Sequence, residues 1–140
     1  MRLTARQGRE RLETHDHGVL STVHPERGVD AVPVVFAVSG DLLGIPVDLV
    51  KPKASTRLKR EKNLQADPRA SLLIQHWDAQ DWSRLWWVRA QLLWAPAASA
   101  DTESTLAEFL AARYPQYRAK PFARVLVFDL VGVSGWSAAD

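Results

Sequence analysis

The sequence predicts an α+β protein, a mostly antiparallel β-barrel of six strands with short flanking helices. Three observations carry this prediction. Six apolar segments of strand character follow one another along the 140 residues. Turn signals separate most of them, and helices do not alternate with them regularly, which disfavours a doubly wound parallel sheet. The helical patterns are few, short and confined to loops and ends. A chain of this length makes one domain, residues 1–140, with a real core but no room for a separate substrate domain.

The elements follow in order. Residues 4–15 read as a short helix, with Thr4 and Gln7 at capping-box spacing. GVLSTV is the first strand, HPERG a turn, VDAVPVVFAV the second strand, SG a tight connection and DLLGIPV the third strand. Residues 54–66 read as a brief helix before ADPR. RASLLIQHW and RLWWVRAQLLWA (residues 84–95) are the fourth and fifth strands. Asp101 opens a helix carrying Leu106, Phe109, Leu110 and Tyr114 on one side, and Pro115 ends it. RVLVFDLVGVSGW is the sixth strand.

Composition excludes several function classes. Lys and Arg number 18 against 16 Asp and Glu, a formal charge of +2, so no global field draws the chain to nucleic acid or membrane. There is no cysteine, which excludes disulfides and thiolate metal sites. No run approaches 18 apolar residues and the N-terminus lacks a signal-type apolar region, so a cytoplasmic location is expected.

Basicity matters locally. Six of the 18 Lys and Arg residues fall between Lys51 and Lys62, on a connection between two strands. In a helical turn Lys53, Arg57 and Arg60 share one face, with Lys59 and Lys62 on a different side. Ser55 or Thr56 would stand near the helix start, where free N–H groups favour phosphate, and Arg forks grip phosphate oxygens at two points. The run fits either a solvated helix face or a small-anion site.

Five of the 6 Trp residues lie between Trp77 and Trp94. Alternation puts Trp86, Val88, Ala90, Leu92 and Trp94 on a core face, and Leu85, Trp87, Arg89, Gln91 and Leu93 on the other. A large aromatic beside Arg and Gln suits ring stacking or a subunit interface. In the second strand Val32, Val34, Phe36 and Val38 form the heavier face, and Ala31, Pro33, Val35 and Ala37 the smaller one. Pro33 marks an edge or bulge. A small-residue face admits a planar ligand close to the backbone, or packs under the N-terminal helix.

Other constellations are missing. His15, His17, His24 and His76 are scattered, and although Asp16 stands between His15 and His17 they read as surface residues, so no metal is expected. G-x-S-x-G, GxGxxG and P-loop patterns are absent, no nucleophile stands with a base, and no catalytic residue is assigned.

From GVLSTV onward, the VPVVFAV strand, the basic connection, NLQADPRASLLI, DWSRLWWVRA, RYPQYR and the terminal GWSA together resemble the split-β-barrel flavin and deazaflavin oxidoreductases, the superfamily of pyridoxamine-phosphate-oxidase-like proteins. The chain is most similar to the actinobacterial subgroup predicted to use the 5-deazaflavin coenzyme F420. The resemblance implies an FMN-binding split barrel that forms a homodimer, with two equivalent sites in grooves between subunits. It places the cofactor phosphate against Lys53, Arg57 and Arg60, with Ser55, Thr56, Lys59 and Asn63 as further candidates. The ring would lie along the backbone of Pro33, Val34 and Val35, and Trp87, Arg89 and Trp136 would close the groove from the other subunit. Gln91, Leu92 and Leu93 stand where relatives tend to have Gly, which implies a narrower site. The implied activity is hydride transfer from reduced F420 to a small organic substrate, the cofactor doing the hard chemistry. Tyr114 and Tyr117 are near enough to be considered as proton donors, and neither is assigned. FMN on the same barrel is the alternative cofactor, and a non-catalytic flavin-, deazaflavin- or haem-binding protein is the alternative class.

Overall fold

The computed structural model describes residues 1–48 and 59–139. In chain order these form α1 (Ala5–Thr14), β1 (Gly18–His24), β2 (Gly28–Val34), β3 (Ala37–Ser39), β4 (Leu42–Asp48), α2 (Lys59–Ala66), β5 (Arg69–His76), β6 (Trp86–Trp94), α3 (Ala100–Arg113) and β7 (Phe122–Ser137). The strands make one sheet in the order β2-β1-β5-β6-β7-β4-β3, and every neighbouring pair is antiparallel. Strands β2 and β3 sit at opposite ends of that order, yet only Val35 and Phe36 join them. The three steps from Val34 to Ala37 span at most about 11 Å, so the sheet must curl until its ends meet. That closure makes the barrel and leaves a seam between β2 on one side and β3 with β4 on the other.

Apolar alternation fills the interior. Leu20, Leu43, Ile45, Leu72, Ile74, Val88, Ala90 and Phe128 point inward and are buried, and Leu12 of α1 caps them at one end. The N-terminal capping box predicted from Thr4 and Gln7 is present: Thr4 Oγ1 accepts from Gln7 N at 3.1 Å, and Gln7 Oε1 accepts from Thr4 N at 2.8 Å. Helix α1 rests on β7 through Gly8, where an added Cβ would stand 2.6 Å from Val133 Cγ1. A second cluster joins Leu106 and Leu110 of α3 to Ala37, Val125, Val127 and Tyr117 outside the barrel wall. There α3 approaches the backbone of β4 at Gly44, where a Cβ would meet Leu106 Cβ at 3.0 Å.

The described residues hold seven strands where the sequence predicted six. The difference lies in VDAVPVVFAV, which breaks at Val35 and Phe36 into β2 and β3. Closing the barrel turns the chain there from one sheet end to the other. The Phe36 carbonyl oxygen accepts from Arg113 Nη1 at 3.0 Å and lies 2.9 Å from the Tyr114 hydroxyl, so side chains replace a strand neighbour. The break also turns Ala37, predicted on the smaller face, into the core at 2% exposure. The fifth strand starts at Trp86, two residues later than predicted, because Asp81 caps a single 3-10 turn over Trp82–Arg84 by accepting from Ser83 N at 3.0 Å. Helix α3 begins one residue before Asp101, capped by Ser99, and Phe109 is 45% exposed although it was predicted to share the buried side with Leu106 and Leu110. The buried stripe of α3 is narrow, and Phe109 stands about 100° from Leu110 around the axis. Within the predicted helix 54–66, residues 59–66 are helical and 54–58 lie outside the described residues. No described helix is long and apolar enough to cross a membrane.

Candidate functional site

Helix α2 is the element that places charge at the seam, and three buried contacts fix how it lies. Leu64 enters the core at 1% exposure. Glu61, also buried, takes a two-point ion pair from Arg124 of β7: Arg124 Nε donates to Oε2 at 2.9 Å and Nη2 to Oε1. Asn63, 3% exposed, donates through Nδ2 to Thr22 Oγ1 at 3.0 Å and to Asp30 Oδ2 at 2.9 Å. With those positions pinned, Lys59 and Arg60 at the start of the helix face the clefts on either side of β2.

The smaller cleft, about 240 Å³, lies in the seam itself. Pro33 and Val34 of β2, Val35 of the crossover, Ile45 and Pro46 of β4, Arg60, His17 and Tyr117 line it. Among the described residues β2 pairs only with β1, so alternate backbone groups along its free side face this cleft. The larger cleft, about 480 Å³, runs beside the other half of β2 and is lined by Val29, Asp30, Ala31, Val32, Thr22, Arg27, Lys59 and Arg60. Arg60 lines both. In the larger cleft Arg27 holds Asp30 at 2.7 Å, and that bond, with the one from Asn63, keeps the Asp30 carboxyl below the ordinary carboxylate range. The Arg27 and Asp30 charges thus offset each other, and Lys59 and Arg60 add further cationic side chains to that wall.

The sequence-predicted residues divide accordingly. Pro33, Val34, Val35 and Arg60 are brought together in the seam cleft, and Lys59 joins Arg60 in the larger one. Helical spacing had set Lys59 on a different side from Arg60, but adjacent helical residues are only about 100° apart and one wide cleft spans both. Asn63 points into the contact between α2 and the hairpin of β1 and β2. Lys53, Ser55, Thr56 and Arg57 lie outside the described residues. The D-P-R portion of the N-L-x-x-D-P-R motif is occupied locally: Arg69 Nη2 donates to Asp67 Oδ2 at 2.7 Å, drawing the Asp67 carboxyl down to about 2.

Trp87 and Arg89 do not reach the seam of their own chain. Register places Pro33, Val19, Leu73 and Arg89 in one row across β2, β1, β5 and β6. Three strand spacings amount to about 14 Å. Arg89 lies 5.3 Å from the Trp87 ring centre, and Trp136 stands opposite Trp87 on β7. The same outer face exposes Val19, Leu73, Leu93 and Trp136, each by 36% to 39%.

Sequence reasoning missed Ile45, Pro46 and His17. His17 read as one of several scattered surface histidines, and its side chain is indeed well exposed, yet it lines the seam cleft. Its Nδ1 lies 2.6 Å from Asp16 Oδ1, a bond that lowers the Asp16 pKa. The donor atoms of His15, Asp16 and His17 lie within 4.8 Å of one another. Burial lowers the His15 pKa, and its ring stands edge-on to Trp86 with centroids 5.3 Å apart. Only the meeting of β2 with β4 gives His17 a cleft to line, and no local pattern encodes that meeting.

No family model matches the chain, and no curated protein does either. Solved structures do. The chain is similar to an FAD-binding protein from Mesorhizobium loti, with a TM-score of 0.68 at 16% identity over 96% of this chain and 95% of that one. A conserved hypothetical protein from Mycobacterium tuberculosis gives a TM-score of 0.73 at 16% identity, covering 97% and 86%. An FMN-binding protein from Syntrophomonas wolfei gives 0.69 at 16% identity, covering 95% and 88%. At this identity the likeness establishes the fold alone, an antiparallel barrel that this chain shares with those FAD- and FMN-binding proteins.

Proposed function

We propose that this chain is a two-electron oxidoreductase that binds coenzyme F420 along β2 and passes hydride to a small organic substrate. One observation carries the reading: Pro33, Val34, Val35 and Arg60 line one cleft in the barrel seam, and in sequence Arg60 belongs to the basic run between Lys51 and Lys62. The residues present suit such a cofactor. Ile45 and Pro46 offer an apolar wall to a planar ring, and the edge of β2 offers amide groups to its polar rim. Lys59 and Arg60, with Lys53 and Arg57 beyond the described residues, supply the charge that a phosphate needs.

When bound, the cofactor supplies the hydride chemistry. The chain's own residues bind and orient it and exclude water. A cleft of about 240 Å³ falls short of the ordinary range for small-molecule sites, which starts near 300 Å³. Trp87 and Arg89 are too far away to enlarge or cover it in cis. A second copy of this chain, packed through the outer face that carries Val19, Leu73, Trp87 and Trp136, would bring an aromatic and a cation to the open side of the seam. The working form in this reading is therefore a homodimer, whose concentration-dependent dissociation is measurable by analytical ultracentrifugation.

The FMN-binding protein of the same fold favours FMN as the second reading. Fluorescence titration with F420 and with FMN separates the two: the first reading expects tighter binding of F420. Arg60→Ala is expected to weaken that binding by about 1–3 kcal/mol, the loss of a charged hydrogen bond. An unchanged dissociation constant would sink the phosphate role of Arg60.

A further inference from the structure

We infer that His17 is the acid that hands a proton to the substrate in the seam cleft, with Asp16 as its positioning partner. This rests on the redox reading above and goes one step past it, to the residue that completes the transfer. A hydride acceptor gains two electrons and one hydrogen at a single atom, and the electron pair left on its other atom requires a proton. Neither cleft wall nor backbone provides one at neutral pH. Among the described residues, the groups in the seam cleft that carry ionisable protons are Arg60, Tyr117 and His17. Of these side chains imidazole is the one most often used for general acid catalysis, and His17 carries it.

The geometry holds His17 for this role. Its Nδ1 is engaged by Asp16 Oδ1 at 2.6 Å, which fixes the proton on that nitrogen and leaves Nε2 on the far side of the ring. Among the described residues nothing hydrogen-bonds Nε2. The ring stacks on His15 with centroids 5.6 Å apart and an interplanar angle of 28°, and His15 in turn abuts Trp86. The main chain is tied as well, because the Tyr114 hydroxyl lies 2.8 Å from the Asp16 carbonyl oxygen. The charged and titratable groups around the imidazole are Asp16 and His15 on its own segment, Arg60 of α2 across the cleft, Arg113 and Tyr114 at the end of α3, and Tyr117 beyond them.

The substrate is a polarised double bond, such as the C=C of an enone. Hydride from the reduced cofactor forms a C–H bond at the β-carbon, the π pair moves toward the carbonyl, and the cofactor is oxidised by two electrons. The Nε2–H bond of the His17 imidazolium breaks as its proton passes to the α-carbon or the enolate oxygen. Neutral imidazole remains and takes a new proton from water, to which the side chain is open.

Two measurements test this on the 140-residue chain. Long-range 1H–15N NMR of the cofactor-free protein is expected to show neutral His17 protonated on Nδ1, and Asp16→Asn to lose that preference. The opposite tautomer in the wild-type protein overturns the proposal. With F420 and 2-cyclohexen-1-one as the probe, His17→Ala is expected to lower kcat about 100-fold, the scale of general acid catalysis, with the F420 dissociation constant within twofold and free imidazole restoring part of the rate. Retained kcat, failed rescue, or no turnover of the enone by the wild-type protein despite cofactor binding each overturns the proposal and leaves the redox reading standing. Failure of both F420 and FMN to bind overturns the redox reading itself.

Discussion

The guanidinium of Arg113 donates to the carbonyl oxygen of Phe36 at 3.0 Å and lies 4.9 Å from the centre of the Phe36 ring. The two residues are far apart in sequence, and their contact holds the crossover that closes the barrel. Arg113 also donates to the Leu12 carbonyl oxygen at 3.4 Å, so the end of α3 ties α1 to the same point. Arg113→Ala removes a charged donor from a half-buried carbonyl together with a cation–π contact. The expected loss is about 1–3 kcal/mol in urea unfolding. An unshifted midpoint would mean that the crossover holds itself.

Trp86 and Trp87 are neighbours with opposite tasks. Trp86 packs against the core, with the Arg11 guanidinium 5.0 Å from its ring centre and His15 and His76 beside it. Trp86→Ala is expected to cost about 3 kcal/mol, the low end for aromatic truncation because the ring is only half-buried. Trp87→Ala is expected to leave thermal stability of the isolated subunit nearly unchanged and to weaken self-association. Sedimentation and thermal melts on both variants check this, and exchanged phenotypes would reverse the assignment of the two faces.

Glu61 is the acid inside the basic run, and the fold uses it to anchor that run. Its carboxylate is buried against Arg124, which is itself partly open to water. Removing one partner of a buried pair costs about 3–5 kcal/mol, and the exposure of Arg124 places the expectation for Glu61→Ala near 3 kcal/mol. The variant should also weaken F420 binding, since Lys59 and Arg60 share its helix. Chemical denaturation and the fluorescence titration read the two effects separately. A destabilised variant with undiminished binding would show that α2 does not position the cleft charges.

Much of this was legible from sequence because it depended on short range. The Thr4–Gln7 cap, the alternation that buries Val88 and Ala90 but exposes Arg89, and the end of α3 at Pro115 follow from spacing alone. The break at Val35 and Phe36 did not, because the period of two runs straight through it: Val34 and Phe36 are both buried. What breaks the strand is a pair of side chains at the end of α3, Arg113 and its C-cap Tyr114, arriving from far along the chain. The site divided in the same way. A basic helix beside a small-faced strand could be read from residue types, whereas the part His17 plays requires β2 and β4 to meet at a seam, which is a property of the closed barrel.

His15 offers a test of the same region through pH. Burial is the largest influence on its imidazole and lowers its pKa from the ordinary value of about 6.5, aided by Arg113, although Asp16 pulls the other way. Above about pH 6.5 the ring is neutral in both folded and unfolded chains and contributes no slope. As pH falls below that value the unfolded chain takes up the proton first, so it binds more protons than the folded one and stability declines with acidification. The carboxylates with lowered pKa values, Asp16, Asp30, Asp67 and Asp81, act in the same direction but only in the range of carboxylate titration, below about pH 5. Urea midpoints compared between pH 7.5 and pH 5.5 therefore isolate the histidine contribution. The wild-type midpoint is expected to fall over that interval, and His15→Gln, which keeps a polar side chain at the helix end, to fall less. Equal slopes in the two proteins would mean that the ring is not sheltered between Trp86 and the end of α1.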